Sequence, residues 1–87
     1  MEIKAFQEFI RQKYYPTDVK RGTAGTFLWF IEEVGELASA LAGADDANKQ
    51  EEFADVLAWL CTLANINDVD LEVALEKYTV RGVKGTK

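Results

Sequence analysis

Five carboxylates in two short clusters hold the chemistry this chain can do. They are Glu32, Glu33 and Glu36 in I-E-E-V-G-E-L, and Glu52 and Asp55 in E-E-F-A-D-V-L. Each cluster contains an acid pair at i,i+3 inside an apolar pattern of helical period. Acids sit on the buried side of a helix only when something positive meets them there. Between Thr23 and Glu76 the only basic residue is Lys49. A divalent cation is the natural partner for such a group, and the chemistry it would support is the binding of a small phosphate compound.

Helical geometry sorts the five acids. At about 100° per residue, Glu33 lies within the stripe formed by Phe30, Leu37, Leu41, Trp29 and Ala40, with Glu36 at its edge. Glu32 is turned about 100° away, toward solvent. On the next helix Glu52 and Asp55 share the side of Val56, Trp59, Leu60 and Leu63. The inward four are therefore Glu33, Glu36, Glu52 and Asp55. A tryptophan lies one turn from each pair, Trp29 before Glu33 and Trp59 after Asp55. Either ring can stack on a base or fill the core. Four carboxylates in one pocket would repel each other and raise their own pKa values, a conflict that a hard cation removes. Mg²⁺ suits an all-oxygen site that keeps open positions, and Mn²⁺ also fits. A single E-E-x-x-E is a weak signal, common on solvated helix faces. Two inward pairs on consecutive helices are a stronger one.

The elements that must position these acids read as helices throughout. Apolar spacing predicts helices over residues 3–14, 26–41, 47–64 and 71–78. Pro16 is expected to end the first, leaving residues 17–25 as a connection punctuated by Gly22 and Gly25. Gly43 is a C-terminal stop, and Asp45 or Asp46 and then Asp70 are N-caps. Gly35 could admit a close helix neighbour. Residues 65–69 read as a turn. From Val56 to Ala64 the third helix is apolar nearly all round, the mark of a central helix. The expected fold class is all-α, a small helical bundle of about four helices in one domain over residues 1–87, completed by self-association because so short a chain has little core of its own.

Composition narrows the function classes. The net charge is −5, unevenly laid out: residues 23–76 hold twelve acids and one base, residues 77–87 four bases and no acid. The acidic middle argues against a nucleic-acid polymer as partner. The basic tail, with Lys77 and Arg81, suits a small phosphate compound or is a solvated end. With no histidine and one cysteine, Cys61, the usual zinc sites, an intrachain disulfide and the Glu-x-x-His di-iron pattern are excluded. No secretory signal and no membrane-length apolar run is visible, so the chain reads as soluble and cytoplasmic.

The two clusters in order, E-E-V-G-E-L-A-S-A-L and then E-E-F-A-D-V-L-A-W-L, resemble the MazG-like nucleotide pyrophosphohydrolases of the all-α NTP pyrophosphatase group. The family pattern E-E-x-x-E, gap, E-x-x-D is matched by Glu32-Glu33-x-x-Glu36 and Glu52-x-x-Asp55, with fifteen residues between Glu36 and Glu52. The resemblance covers roughly residues 26–81 and fits the minimal single-domain type. It implies that Glu33, Glu36, Glu52 and Asp55 ligate Mg²⁺, and that a nucleoside triphosphate is cleaved between its α- and β-phosphates to give the monophosphate and pyrophosphate. It also implies a homodimer or homotetramer. Lys77 and Arg81 in K-Y-T-V-R resemble phosphate-holding residues of the family, and Asn65 stands where members have a polar residue near the nucleotide. Glu32 is a candidate to orient or deprotonate the attacking water or to assist a second metal; its other reading is a surface glutamate. Two other readings remain: a pyrophosphohydrolase specific for phosphoribosyl-ATP or for deoxynucleotides, and a non-catalytic helical oligomerisation or binding module whose acids hold a structural ion.

Overall fold

A computed structural model describes residues 1–82, and every described element is helical. In chain order these are α1 (Ile3–Ala42), α2 (Asp46–Ile66), α3 (Leu71–Ala74) and α4 (Glu76–Thr79). The fold is all-α, as the apolar periodicity predicts.

α1 is two arms divided at Gly22, whose backbone leaves the helix at φ 81°, ψ 170°. That region is open essentially to glycine alone. The sequence reading places the break earlier, at Pro16. Instead the helix runs straight through Pro16, and residues 17–21 are helical rather than part of a connection. A proline inside a helix removes one hydrogen bond and crowds the preceding turn, at a cost of about 3 kcal/mol. Packing on both sides of Pro16 outweighs that cost. Ile10 and Asp18 are both buried, and Asp18 is tied to α2 through Thr62 at 3.1 Å.

The second arm and α2 form a hairpin across residues 43–45. Their partners run in opposite directions: Thr23 bonds Asn67, Trp29 stacks on Trp59, and the carboxylates of Glu33 and Glu52 converge. The first arm takes another path. Gln7 meets Asn65 and Asp18 meets Thr62, so a long stretch of this arm covers barely one turn of α2. It crosses the C-terminal end of α2 steeply.

Local chemistry explains the ends. Asp45 caps α2 by accepting from the Asn48 N–H at 3.1 Å. Asp70 caps α3, accepting from the N–H groups of Glu72 and Val73 at 3.0 and 3.4 Å. Each such cap is worth about 1 kcal/mol. α2 continues two residues beyond the expected stop, to Ile66, and the expected fourth helix is interrupted at Leu75. Buried Gln7 explains the first difference. Its Nε2 donates to Asn65 Oδ1 at 3.0 Å and to the Val69 carbonyl at 2.7 Å, while its Oε1 accepts from the Leu71 N–H at 2.9 Å. One side chain thus ties the end of α2 to the start of α3.

The core is thin. Among the described residues, the buried apolar ones are Ile10, Ala40, Cys61 and Ala64. Cys61 is a core hydrophobe, and burial raises its thiol pKa. Gly35 meets no neighbour within 4 Å of an added Cβ, so no close helix approach uses it within this chain. Among the described residues, no helix is long and apolar enough to cross a membrane.

Gly22→Ala tests the break. An added Cβ would touch nothing within 4 Å, so any cost is backbone strain alone. The expected loss is about 1–3 kcal/mol. For a chain of this size it lowers the melting temperature by about 4–8 °C per kcal/mol. Unchanged melting would show that the two arms do not depend on this conformation.

Candidate active site

The α1–α2 hairpin places Glu33 and Glu36 from one helix opposite Glu52 from the other. One carboxylate oxygen from each lies within 4.8 Å of the other two. Glu36 is exposed, while Glu33 and Glu52 are half-buried. In both of the latter, Oε2 is cut off from solvent and has no hydrogen-bond partner. A buried carboxylate oxygen without a donor is costly, and two facing each other more so.

Electrostatics follow from that packing. Burial raises the Glu33 pKa above its ordinary value, and the charges of Glu36, Asp55 and Glu52 push in the same direction. Glu52 is likewise raised, first by loss of solvation and then by Glu36, Asp55 and Glu51. Among the described residues, no Lys or Arg pairs with either of them. Among the described residues the ion pairs are Lys4–Glu72, Arg21–Asp18 and Lys49–Asp46. Lys49, the one base in the acidic stretch, is turned to Asp46 at 3.8 Å. The donor set is all oxygen, preorganised by two helices and short of positive charge, and it fits a hard divalent cation.

The other expected site residues divide into those near the acids and those far from them. Asp55 stands outside the close group of three but acts electrostatically on Glu33 and Glu52. Trp29 and Trp59 are stacked on each other, with ring centroids 5.9 Å apart and planes 10° from parallel. They hold the hairpin together one turn beyond the acids, and each is only partly buried. Glu32 is exposed on α1.

Asn65 is committed elsewhere. It is buried and paired with Gln7 through both its amide groups. It borders a hollow of about 320 Å³ with Lys4, Arg11 and Asp70, none of them among the five acids. Lys77 and Arg81 are exposed, on α4 and just beyond it, and α4 packs chiefly on α3. The rest of the basic tail, with Lys84 and Lys87, lies outside the described residues.

The first arm supplies residues that the sequence reading passed over. Asp18 is 3% exposed and accepts from Arg21 Nη1 at 3.1 Å and from Thr62 Oγ1 at 3.1 Å. Arg21 Nη1 also donates to Thr26 Oγ1 at 3.3 Å, and the guanidinium lies 4.9 Å from the Trp59 ring centre. Beside these groups is a cavity of about 300 Å³, bordered by Tyr14, Asp18, Arg21, Asp55 and Trp59. Asp55 thus faces both the cavity and the acid group. The available signal was the i,i+3 spacing of Asp18 and Arg21, which marks a helical ion pair rather than a loop.

With that geometry in place, the sequence comparison is decisive. A family model, the MazG nucleotide pyrophosphohydrolase domain, matches residues 22–83. The chain belongs to the MazG nucleotide pyrophosphohydrolase family. It is therefore a hydrolase of nucleotides, of a family that is typically metal-dependent. Comparison with curated proteins gives no match. The family match begins at Gly22, where α1 breaks, so the hairpin and all five acids fall inside it and the first arm falls outside.

The raised acids make a prediction about pH. A carboxyl whose pKa is higher in the folded than in the unfolded chain makes folding favour the protonated form. Stability is then lost as pH rises from the ordinary value of 4.5 through the raised one. Replacing both Glu33 and Glu52 by glutamine removes the penalty. Without divalent metal, the double variant should melt above the wild type at neutral pH, and the gap should close as pH falls toward 4.5. Identical melting across that range would show that these carboxylates are not in conflict.

Proposed function

We propose that the chain hydrolyses a nucleoside triphosphate between its α- and β-phosphates, using Mg²⁺ held by Glu33, Glu36, Glu52 and Asp55 and releasing the monophosphate and pyrophosphate. The observation that carries this reading is the convergence of Glu33, Glu36 and Glu52, with two buried carboxylate oxygens that have no donor. When bound, the cation polarises phosphoryl oxygens and lowers the pKa of a water molecule. Mn²⁺ offers the same coordination chemistry.

The residues have distinct tasks in this reading. Glu33 and Glu52 supply inward oxygens that are already desolvated and therefore gain most from a positive charge. Glu36 bridges them at the solvent side, where a phosphate chain can enter. Asp55 completes the set from the cavity side. Glu32, exposed next to Glu33, orients the attacking water and takes its proton. The stacked pair Trp29–Trp59 fixes the hairpin so that the two helices present their acids at constant spacing. Lys77 and Arg81 meet the outer phosphates if α4 closes on the site, and Asn65 supports α2 from behind through Gln7.

A second copy of the chain is the other partner in this reading. α1 leaves Phe27, Leu28, Ile31 and Val34 exposed at helical spacing, and α2 leaves Phe53, Leu57 and Leu60. Leu28 is 73% exposed and Phe53 56%. Apolar faces of this extent on the two site-bearing helices, over so thin a core, favour a homo-oligomer that buries them. Such an assembly would stiffen the hairpin that spaces the acids.

The test is hydrolysis of a panel of canonical and modified nucleoside triphosphates, with chromatographic identification of the products. Monophosphate and pyrophosphate should appear only with a divalent cation. Glu36→Gln and Asp55→Asn should each lower kcat by about 10²–10³-fold, the effect of losing a few kcal/mol of charge stabilisation. Full activity in both variants, or activity in excess chelator, would overturn the assignment.

A further inference from the structure

The cavity of about 300 Å³ beside the acids is built jointly by α2 and by the arm that the family match leaves out. Asp55, Ala58, Trp59 and Thr62 come from α2. Ile10, Tyr14, Asp18 and Arg21 come from the first arm of α1. Its size is at the lower end of the range for small-molecule sites.

Charge decides what it can hold. Asp18, Arg21 and Asp55 leave the lining with a net negative charge, so phosphate is repelled. The phosphates of a nucleotide go to the acid group with its cation, which meets the cavity at Asp55. The part of the substrate left over is the nucleoside. The lining suits it: Tyr14 is an aromatic surface for a base, Trp59, whose ring already carries Trp29 and Arg21, offers its edge, and Ile10 and Ala58 are apolar contacts.

Arg21 is placed to read that nucleoside. Its position is fixed by Asp18 and Thr26, and Asp18 is in turn fixed by Thr62. Both bonds use Nη1, so among the described residues Nη2 and Nε keep donors for the acceptors of a base or ribose. A buried carboxylate holding a guanidinium in one orientation is preorganisation, which reduces the ordering cost of binding.

We propose that this cavity seats the nucleoside end of the substrate and that Arg21 is its hydrogen-bond donor, so that the arm ahead of the family domain sets base preference. The proposal rests on the pyrophosphohydrolase reading above. The experiment removes both metal and phosphate, so the acid group plays no part. The 87-residue chain, in chelator, is titrated with free adenosine, guanosine, cytidine and uridine while the two tryptophan indole N–H signals are followed by NMR. At least one nucleoside should shift the Trp59 signal, with unequal affinities across the four. Ala58→Phe, which fills the cavity, should weaken binding by about tenfold or more, the size of one lost stacking contact. Tyr14→Ala, at a half-exposed position, should weaken it in the same direction and serves if the filled variant fails to fold. Arg21→Lys should compress the differences between bases.

Absence of any shift at Trp59, or binding untouched by both Ala58→Phe and Tyr14→Ala, would overturn the proposal. Equal affinities that Arg21→Lys leaves unaltered would overturn the role of Arg21. The two readings fail separately. Cation-dependent hydrolysis without nucleoside binding here sinks the cavity assignment alone. Nucleoside binding without hydrolysis of any nucleotide sinks the pyrophosphohydrolase reading.

Discussion

Mutual repulsion among Glu33, Glu36 and Glu52 at the α1–α2 seam is the constraint around which the molecule is arranged. Three carboxylates within 4.8 Å of one another oppose the packing that brings them together. The hairpin holds them there by other means. Trp29 stacks on Trp59 one turn away, and Thr23 bonds Asn67 at the far end. Asp45 caps α2 just before the acids begin. Removing the repulsion with a cation would turn a strained seam into a stabilising one. In this sense cation binding there and the fold would be one energetic problem.

The first arm answers a different need. It covers the C-terminal end of α2 through two polar links, Gln7 with Asn65 and Asp18 with Thr62. Buried polar pairs of this kind are satisfied only in one register, so they fix where the arm lies more than they add to stability. Their placement has a functional consequence. Asp18 and Arg21, in the last turn before the break at Gly22, arrive beside Trp59 and Asp55. A continuous straight helix could not serve both the crossing of α2 and the hairpin with it. The glycine conformation at residue 22 lets one chain segment do both.

Much of this was legible in the sequence, because period and spacing are local properties. The all-α class and the inward turn of Glu33 and Glu52 follow from helical phase, whereas Glu36 and Asp55, expected inward with them, are exposed; the caps, at Asp45 or Asp46 and at Asp70, follow from residue type. The antiparallel pairing follows from the short connection, and it brings Glu52 to Glu33 and Glu36 while Asp55 stands outside that close group. What was not legible depended on contacts between distant segments. Pro16 reads as a stop, yet Asp18 and Thr62 lie on opposite sides of the chain's midpoint and together hold the helix through it. Arg21 lies just outside the base-poor stretch from Thr23 to Glu76, and only the fold brings it beside Asp55. The pairing of Asn65 with Gln7, 58 residues earlier, is likewise a contact that no local pattern encodes. Lys77 sits on the short α4 and Arg81 just beyond it, at a distance from the acids that no local pattern encodes.

The central claim is that the acid group is a cation site whose cost is relieved by metal. It is tested most directly by following thermal unfolding as Mg²⁺ is added to the metal-free protein, in parallel with the Glu33→Gln, Glu52→Gln double variant. A ligand that binds only the folded state raises the melting temperature in proportion to the logarithm of its concentration once the site is saturated. A cation site formed by these acids gives a Mg²⁺-dependent rise in the wild type and little or none in the variant. An equal rise in both, or none in the wild type, would contradict it.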